Sequence, residues 1–247
     1  MIGECHIGLA FSSAANDSRG MARSLPETVV FDLDGTLVDT APDLTAALNV
    51  ALAAVGRAAV DPAAVRHLVG HGARALIERG LALSGGGGAD VVDRALRVFL
   101  DHYAAHIADG SLPYPGAAAA LDALAAAGVT LAICTNKPVA LSRALIAALG
   151  WTGRFAANLG GDSLAVRKPD AAHLLATIAA AGGRVAATVY VGDTAVDVAA
   201  ARAANVRVIV AGFGFGDQPA AELGGDAVIA HFDALLPVLA TMAGDAA

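Results

Sequence analysis

Short apolar runs rich in β-branched residues, at 28–33, 129–134, 188–191, 206–210 and 227–230, constrain the fold of this chain more than any other feature. Most are separated by Ala- and Leu-rich segments whose apolar residues recur at helical spacing. Parallel neighbours need a long crossover, usually a helix, so the alternation predicts an α/β fold: a Rossmann-like parallel sheet with helices on its faces. Right-handed crossovers make the strands point one way, and ligand sites then gather beyond their carboxyl ends. Residues that immediately follow a strand are therefore the first places to look for chemistry.

The interval 42–113 breaks the rhythm. It offers helical stretches at 43–55, 62–83 and 90–108, a glycine run at 84–88, and no convincing strand. The alternation resumes at Pro115 and Gly116, so 42–113 reads as an inserted helical cap domain over a core made of 27–41 and 114–247. Such a cap can close over a substrate and expel water. Residues 1–26 are expected to form a flexible N-terminal extension, with Met21 as an alternative start. They lack the basic start and apolar run of a secretory signal.

The net charge of −7 argues against broad attraction to nucleic acid or to an anionic membrane face, so an anionic ligand would need a local cationic pocket. Hydrophobic residues make up 56% of the 247 but aromatics only 4%, because alanine fills the helical positions, and this favours packed helices over a β-sandwich. Cys5 and Cys134 are too few for a disulfide framework or a cysteine metal cluster, which suits a reducing cytoplasm. The most apolar stretch, 116–134, is interrupted by Asp122 and split by Gly128, against a membrane helix.

Four strings carry the chemistry. Asp32-Leu33-Asp34-Gly35-Thr36 follows the first strand and sets two carboxylates two residues apart, so that both can face one side. Two close anions call for a cation, and all-oxygen donors suit Mg²⁺ better than zinc. An EF-hand loop would need its glycine at the sixth position and a helix before it. Thr135-Asn136-Lys137-Pro138 follows the second strand, where Pro138 can open a helix whose free N–H groups would meet a phosphate, although alone this string reads as a cap. Lys168 in Arg167-Lys168-Pro169-Asp170 stands at a helix start, where a cation gains nothing from the macrodipole; it wants an anion or is a surface lysine. Gly192-Asp193-Thr194-Ala195-Val196-Asp197 offers two acids four apart. Helix capping by Asp193 would explain one of them but leaves Asp197 only a favourable first-turn charge.

These strings, in this order, resemble the motifs of the haloacid dehalogenase superfamily, over nearly all of the chain from Glu27 onward. Leu37-Val38-Asp39-Thr40-Ala41-Pro42-Asp43-Leu44, the helical insertion and Thr135-Asn136-Lys137-Pro138 are most similar to the phosphoglycolate phosphatases of that superfamily. The resemblance implies a Mg²⁺-dependent phosphatase that acts on a small phosphorylated metabolite through an aspartyl-phosphate on Asp32, with Asp34 as acid and base. It implies Mg²⁺ on Asp32, the backbone carbonyl of Asp34 and Asp193, braced by Asp197, and phosphate held by Thr135, Asn136 and Lys168. The expected partner is that metabolite, not nucleic acid or membrane, and the expected assembly is a monomer or homodimer.

A mutase of the β-phosphoglucomutase type, a pyrophosphatase and a non-catalytic phosphate-binding module remain alternatives. Asp34 argues against a dehalogenase. The absence of lysine from the insertion argues against phosphonate hydrolases that form a Schiff base. His71 and Arg74 are candidates, by charge alone, for meeting a substrate carboxylate.

Overall fold

Every residue of the first strand is buried, as expected of a strand covered by helices on both faces. The computed structural model describes residues 25–244, so the extension expected over 1–26 and Cys5 with it fall almost wholly outside the described residues. From the N-terminus the chain forms β1 (Thr28–Phe31), β2 (Val38–Asp39), then helices α1 (Ala41–Ala54), α2 (Pro62–Arg66), α3 (Ala73–Leu83) and α4 (Ala89–Ala105). There follow β3 (Leu112–Pro113), α5 (Ala117–Ala126), β4 (Thr130–Cys134), α6 (Val139–Ala148), β5 (Ala157–Leu159) and α7 (Ala171–Ala180). The last elements are β6 (Thr188–Gly192), α8 (Ala195–Ala203), β7 (Arg207–Ala211), β8 (Ala227–Ile229) and α9 (Leu235–Gly244).

Six strands make one parallel sheet in the order β5-β4-β1-β6-β7-β8. The chain builds outward from β1 through β4 to β5, then crosses back to lay β6, β7 and β8 on the other side. The direction of travel thus reverses between β1 and β6, which opens a crevice at their carboxyl ends. Side chains alternate across the sheet. Val29, Phe31, Ile133 and Val191 pack with Leu121, Leu124, Leu145 and Leu239, whereas Val30, Ala132, Tyr190 and Val208 pack with Leu174, Ile178 and Val198 on the opposite face.

Helices α1 to α4 are inserted between β2 and β3 and bury their own apolar cluster, including Leu48, Leu52, Ile77, Leu81 and Phe99. The chain leaves and re-enters the sheet region through the antiparallel β2–β3 ribbon, Val38 opposite Pro113 and Asp39 opposite Leu112. Buried Asp43, in the first turn of α1, accepts hydrogen bonds from the N–H of Gly110 at 2.8 Å and of Ser111 at 2.7 Å, tying the outgoing and returning segments together.

The fold departs from the sequence reading at four places, the first being the two-residue strand β2, which lies outside the expected strand runs. The expected helix over 62–83 is two helices, because Gly70 and Gly72 take positive φ (105° and 88°) and turn the chain between them. Strand β3 lies in an interval where no strand was expected; two residues, one of them proline, carry no readable alternation. Strand β5, an edge strand of three residues, is missed for the same reason. Among the described residues no helix is long and apolar enough to cross a membrane.

Candidate active site

The β1 ladder continues one residue past the strand, the Asp32 N–H donating to the Val191 carbonyl at 2.9 Å, so the Asp32 side chain is fixed at the crevice. Gly35 then turns the chain with φ of 84°, and a Cβ placed there would stand 2.3 Å from Asp193 Oδ2. Only glycine allows both the turn and that approach. The Thr36 hydroxyl donates to Asp193 Oδ1 at 2.7 Å, linking the ends of β1 and β6 directly. From the far side the Phe215 N–H donates to Asp193 Oδ2 at 2.7 Å.

Helix α8 is capped by Thr194, not by Asp193 as the sequence suggested. Asp197 completes a capping box, its Oδ2 accepting from the Thr194 N–H at 2.9 Å and the Thr194 hydroxyl at 2.6 Å. This frees the Asp193 carboxylate and gives Asp197 a structural task. The other oxygen of Asp197, Oδ1, lies 2.6 Å from Lys168 Nζ and accepts from the Tyr190 hydroxyl at 2.8 Å.

Lys168 is buried, with its Nζ also 3.0 Å from Asp32 Oδ1 and 2.8 Å from the Tyr190 hydroxyl, so it is no solvated surface lysine. Its backbone N–H is held by His173 Nδ1 at 3.3 Å, behind helix α7, which Asp170 caps. Burial opposes its charge, but Asp197 and Asp32 outweigh that penalty and raise its pKa above the ordinary lysine value. Asp197 is driven up by burial yet pulled further down by Lys168, and ends below the ordinary carboxylate range. Burial pushes Asp32 up to about 7 despite Lys168, with Asp197 and Asp34 adding to the rise. Asp193 is pushed well up by burial, then by Asp197 and Asp32.

After β4, Thr135 is buried, and its Oγ1 accepts from the Lys137 N–H at 3.2 Å. The Asn136 side-chain amide donates to the carbonyls of Gly70 and Lys168, each at 3.0 Å, so that side chain joins the insertion to the sheet. Pro138 stands just before α6 and does not open it, a one-residue correction. Lys137, to which the sequence reading assigns no task, is also drawn into the site. Its Nζ lies 2.9 Å from Asp34 Oδ1 and 2.5 Å from the hydroxyl of Tyr103 on α4. The anomaly that singled out Lys168, a cation where a helix begins, applies equally to Lys137 and could have found it. Tyr103 and Tyr190 carried no such signal, since one takes an apolar position of an amphipathic helix and the other lies in an apolar strand.

His71 and Arg74 fare differently. Arg74 pairs with Asp93 at 2.5 Å and with Glu78 at 3.9 Å on an exposed face, away from the cleft. His71 is half-buried, and burial followed by Arg79 lowers its pKa; neither residue lines the cleft. The cleft itself, about 470 Å³ with its mouth, is walled by Asp32, Asp34, Thr135, Asn136 and Lys137 on the sheet side and by Val69, Gly70, Leu76 and Tyr103 of the insertion.

One carboxylate oxygen from each of Asp32, Asp193 and Asp197 lies within 4.8 Å of the others. The donor set fits a hard divalent cation: all oxygen, with Asp32 and Asp193 held toward protonation first by burial and then by neighbouring carboxylates, a penalty that such a cation would relieve. Asp197 is already paired with the Lys168 cation and also held by Tyr190 and Thr194, whereas the donors on Asp193, Thr36 and Phe215, are neutral, so Asp197 suits a bracing part and Asp193 a ligand's. The Asp34 carboxylate is paired with Lys137 and still close enough to Asp32 to raise its pKa.

Residues 26–205 match the family model of the haloacid dehalogenase-like hydrolases. The chain is 50% identical over 214 residues to a phosphoglycolate phosphatase of Mesorhizobium japonicum, covering 86% of this chain and 94% of that one. It is 48% identical over 219 residues to a phosphoglycolate phosphatase of Agrobacterium fabrum, covering 88% and 94%. Among solved structures, that of a predicted phosphoglycolate phosphatase from Haemophilus somnus superposes with a TM-score of 0.81 at 30% identity, covering 86% of this chain and 97% of that one.

Proposed function

The chain belongs to the haloacid dehalogenase-like hydrolases and is a phosphoric monoester hydrolase, and on that footing we propose that it converts 2-phosphoglycolate to glycolate and phosphate in the cytoplasm through an aspartyl-phosphate on Asp32. The helical insertion would serve as the cap over the sheet site. The single observation that carries the reading is the meeting of Asp32, Lys168 and Asp193 in the crevice between β1 and β6.

In the first step an Asp32 carboxylate oxygen attacks phosphorus and the ester P–O bond breaks. The Asp34 carboxyl gives its proton to the departing glycolate oxygen. In the second step Asp34, now a carboxylate, takes a proton from water as that water attacks phosphorus. The bond to Asp32 breaks, and Asp34 is again protonated. Thr135, the Asn136 backbone N–H and Lys168 would hold the remaining phosphoryl oxygens, where charge must be stabilised during in-line displacement.

The carboxylates of Asp32 and Asp193 and the backbone carbonyl of Asp34 would hold Mg²⁺, braced by Asp197. When bound, the ion supplies the positive charge that lets a carboxylate approach a phosphate dianion.

Purified protein should be assayed on a panel of small phosphoesters with Mg²⁺ and with chelator, with Asp32→Asn in parallel. Phosphate release that needs Mg²⁺, favours 2-phosphoglycolate and vanishes in Asp32→Asn supports the reading; undiminished turnover in that variant rejects the nucleophile. Phosphate release without a bisphosphate activator separates the hydrolase from a sugar-phosphate mutase, and no release from pyrophosphate sets the pyrophosphatase aside.

A further inference from the structure

Among the described residues Lys137 is the one cation that lines the cleft, and the reaction steps above do not use it. Its side chain is 2% exposed, with Nζ 2.9 Å from Asp34 Oδ1 and 2.5 Å from the Tyr103 hydroxyl, and it sits 4.3 Å from the centre of the Tyr103 ring. An ammonium group carries three protons; the two Asp34 oxygens, at 2.9 and 3.3 Å, can share one and the Tyr103 hydroxyl takes a second, which leaves the third for a ligand. Tyr103 accepts from Lys137 and keeps its own proton to donate, and burial pushes its pKa up to about 12, so it stays neutral. The wall beside this pair is apolar: Leu44, Val69, Leu76, Phe99 and Leu141.

A buried ammonium and phenol hydroxyl in an otherwise apolar wall suit a small leaving group that ends in an anion. Position narrows the class further. Asp34 is to protonate the ester oxygen, and Lys137 Nζ lies 2.9 Å from Asp34 Oδ1, so the ammonium stands on the leaving-group side of the site, close to that oxygen. A carboxylate on the adjoining carbon comes within reach of an ammonium so placed.

We infer that Lys137 and Tyr103 anchor a carboxylate carried on the carbon next to the phosphoester oxygen, and so select 2-phosphoglycolate over neutral phosphoesters. The inference rests on the reading of Asp34 as the acid for a phosphoglycolate leaving group. It assigns half of the anchor to helix α4, so the specificity site is complete only when the insertion lies on the sheet.

The test compares kcat/KM for 2-phosphoglycolate and for ethyl phosphate, which has a methyl group in place of the carboxylate, in the wild type, Lys137→Met and Tyr103→Phe. The ratio of the two substrates within each protein cancels losses common to both. The wild type should prefer 2-phosphoglycolate. Lys137→Met should shrink that preference by about tenfold or more, and Tyr103→Phe, which keeps the ring and removes only the hydroxyl, by a smaller factor in the same direction. If Lys137→Met does not fold, Tyr103→Phe alone decides. Equal losses on both substrates in the variants, with the wild-type preference intact, would overturn the anchor while leaving the phosphoglycolate reading standing. A wild type that takes ethyl phosphate equally well would overturn both.

Discussion

Lys168 Nζ lies 3.0 Å from Asp32 Oδ1, with both side chains almost wholly removed from solvent. The same ammonium lies 2.6 Å from Asp197, so one cation serves the proposed nucleophile and the acid that caps α8.

Replacing this lysine should act on two properties at once. Lys168→Met should lower kcat by about 10²- to 10³-fold through lost stabilisation of the transferring phosphoryl group. It should also cost about 3–5 kcal/mol of stability, because Asp32 and Asp197 would remain buried without their cation. Burial is what adds the stability cost to the catalytic one. Urea unfolding beside steady-state kinetics checks both.

Gly35→Ala should damage the acidic site without touching any charge. A methyl group at φ of 84° costs about 1–2 kcal/mol for the backbone alone, and it would meet Asp193 Oδ2 at 2.3 Å. Calorimetric titration should find weaker Mg²⁺ binding, and the melting temperature should fall.

Metal binding should weaken in acid. With no metal bound, Asp32 holds its proton more tightly folded, at about 7, than an ordinary carboxyl does, and Asp193 shifts the same way. The stability that Asp32 contributes is therefore greatest in acid and declines as pH rises from about 4 towards 7, and Asp193 acts in the same direction. Asp197, whose pKa is depressed, acts oppositely: its contribution is present above the ordinary carboxyl range and is lost as pH falls through its folded value. Mg²⁺ needs Asp32 and Asp193 ionised, so binding releases protons, and affinity should drop about tenfold per pH unit for each proton released. Thermal shifts on adding Mg²⁺ should be larger at pH 8 than at pH 6; equal shifts would contradict the assignment.

Asn136→Ala should loosen the insertion, because its amide alone spans from the Gly70 carbonyl to that of Lys168. Two lost hydrogen bonds at about 1 kcal/mol each predict a raised KM and faster hydrogen exchange in the loop around Gly70.

Much of this site was legible because the chemistry sits where strands end. Asp32, Thr135 and Asp193 each follow a strand that β-branched residues announce, and a parallel sheet sends those ends to one edge. Lys168 was legible as a cation misplaced at a helix start. What sequence could not carry was pairing across elements. Tyr103 reads as one more apolar position of an amphipathic helix, and nothing in its neighbours says that its hydroxyl meets Lys137. The engagement of Asn136 with Gly70 likewise depends on a turn that breaks one expected helix in two. Arg74, chosen for its charge, found nearer acids on its own surface.

The most direct test of the account is whether phosphate passes through Asp32. Wild-type protein turning over substrate labelled in the phosphoryl group should be quenched in acid, digested and mapped. Label is expected on the peptide that contains Asp32, lost on treatment with hydroxylamine and missing from Asp32→Asn. An unlabelled protein under rapid turnover, or label on any other residue, would contradict the account.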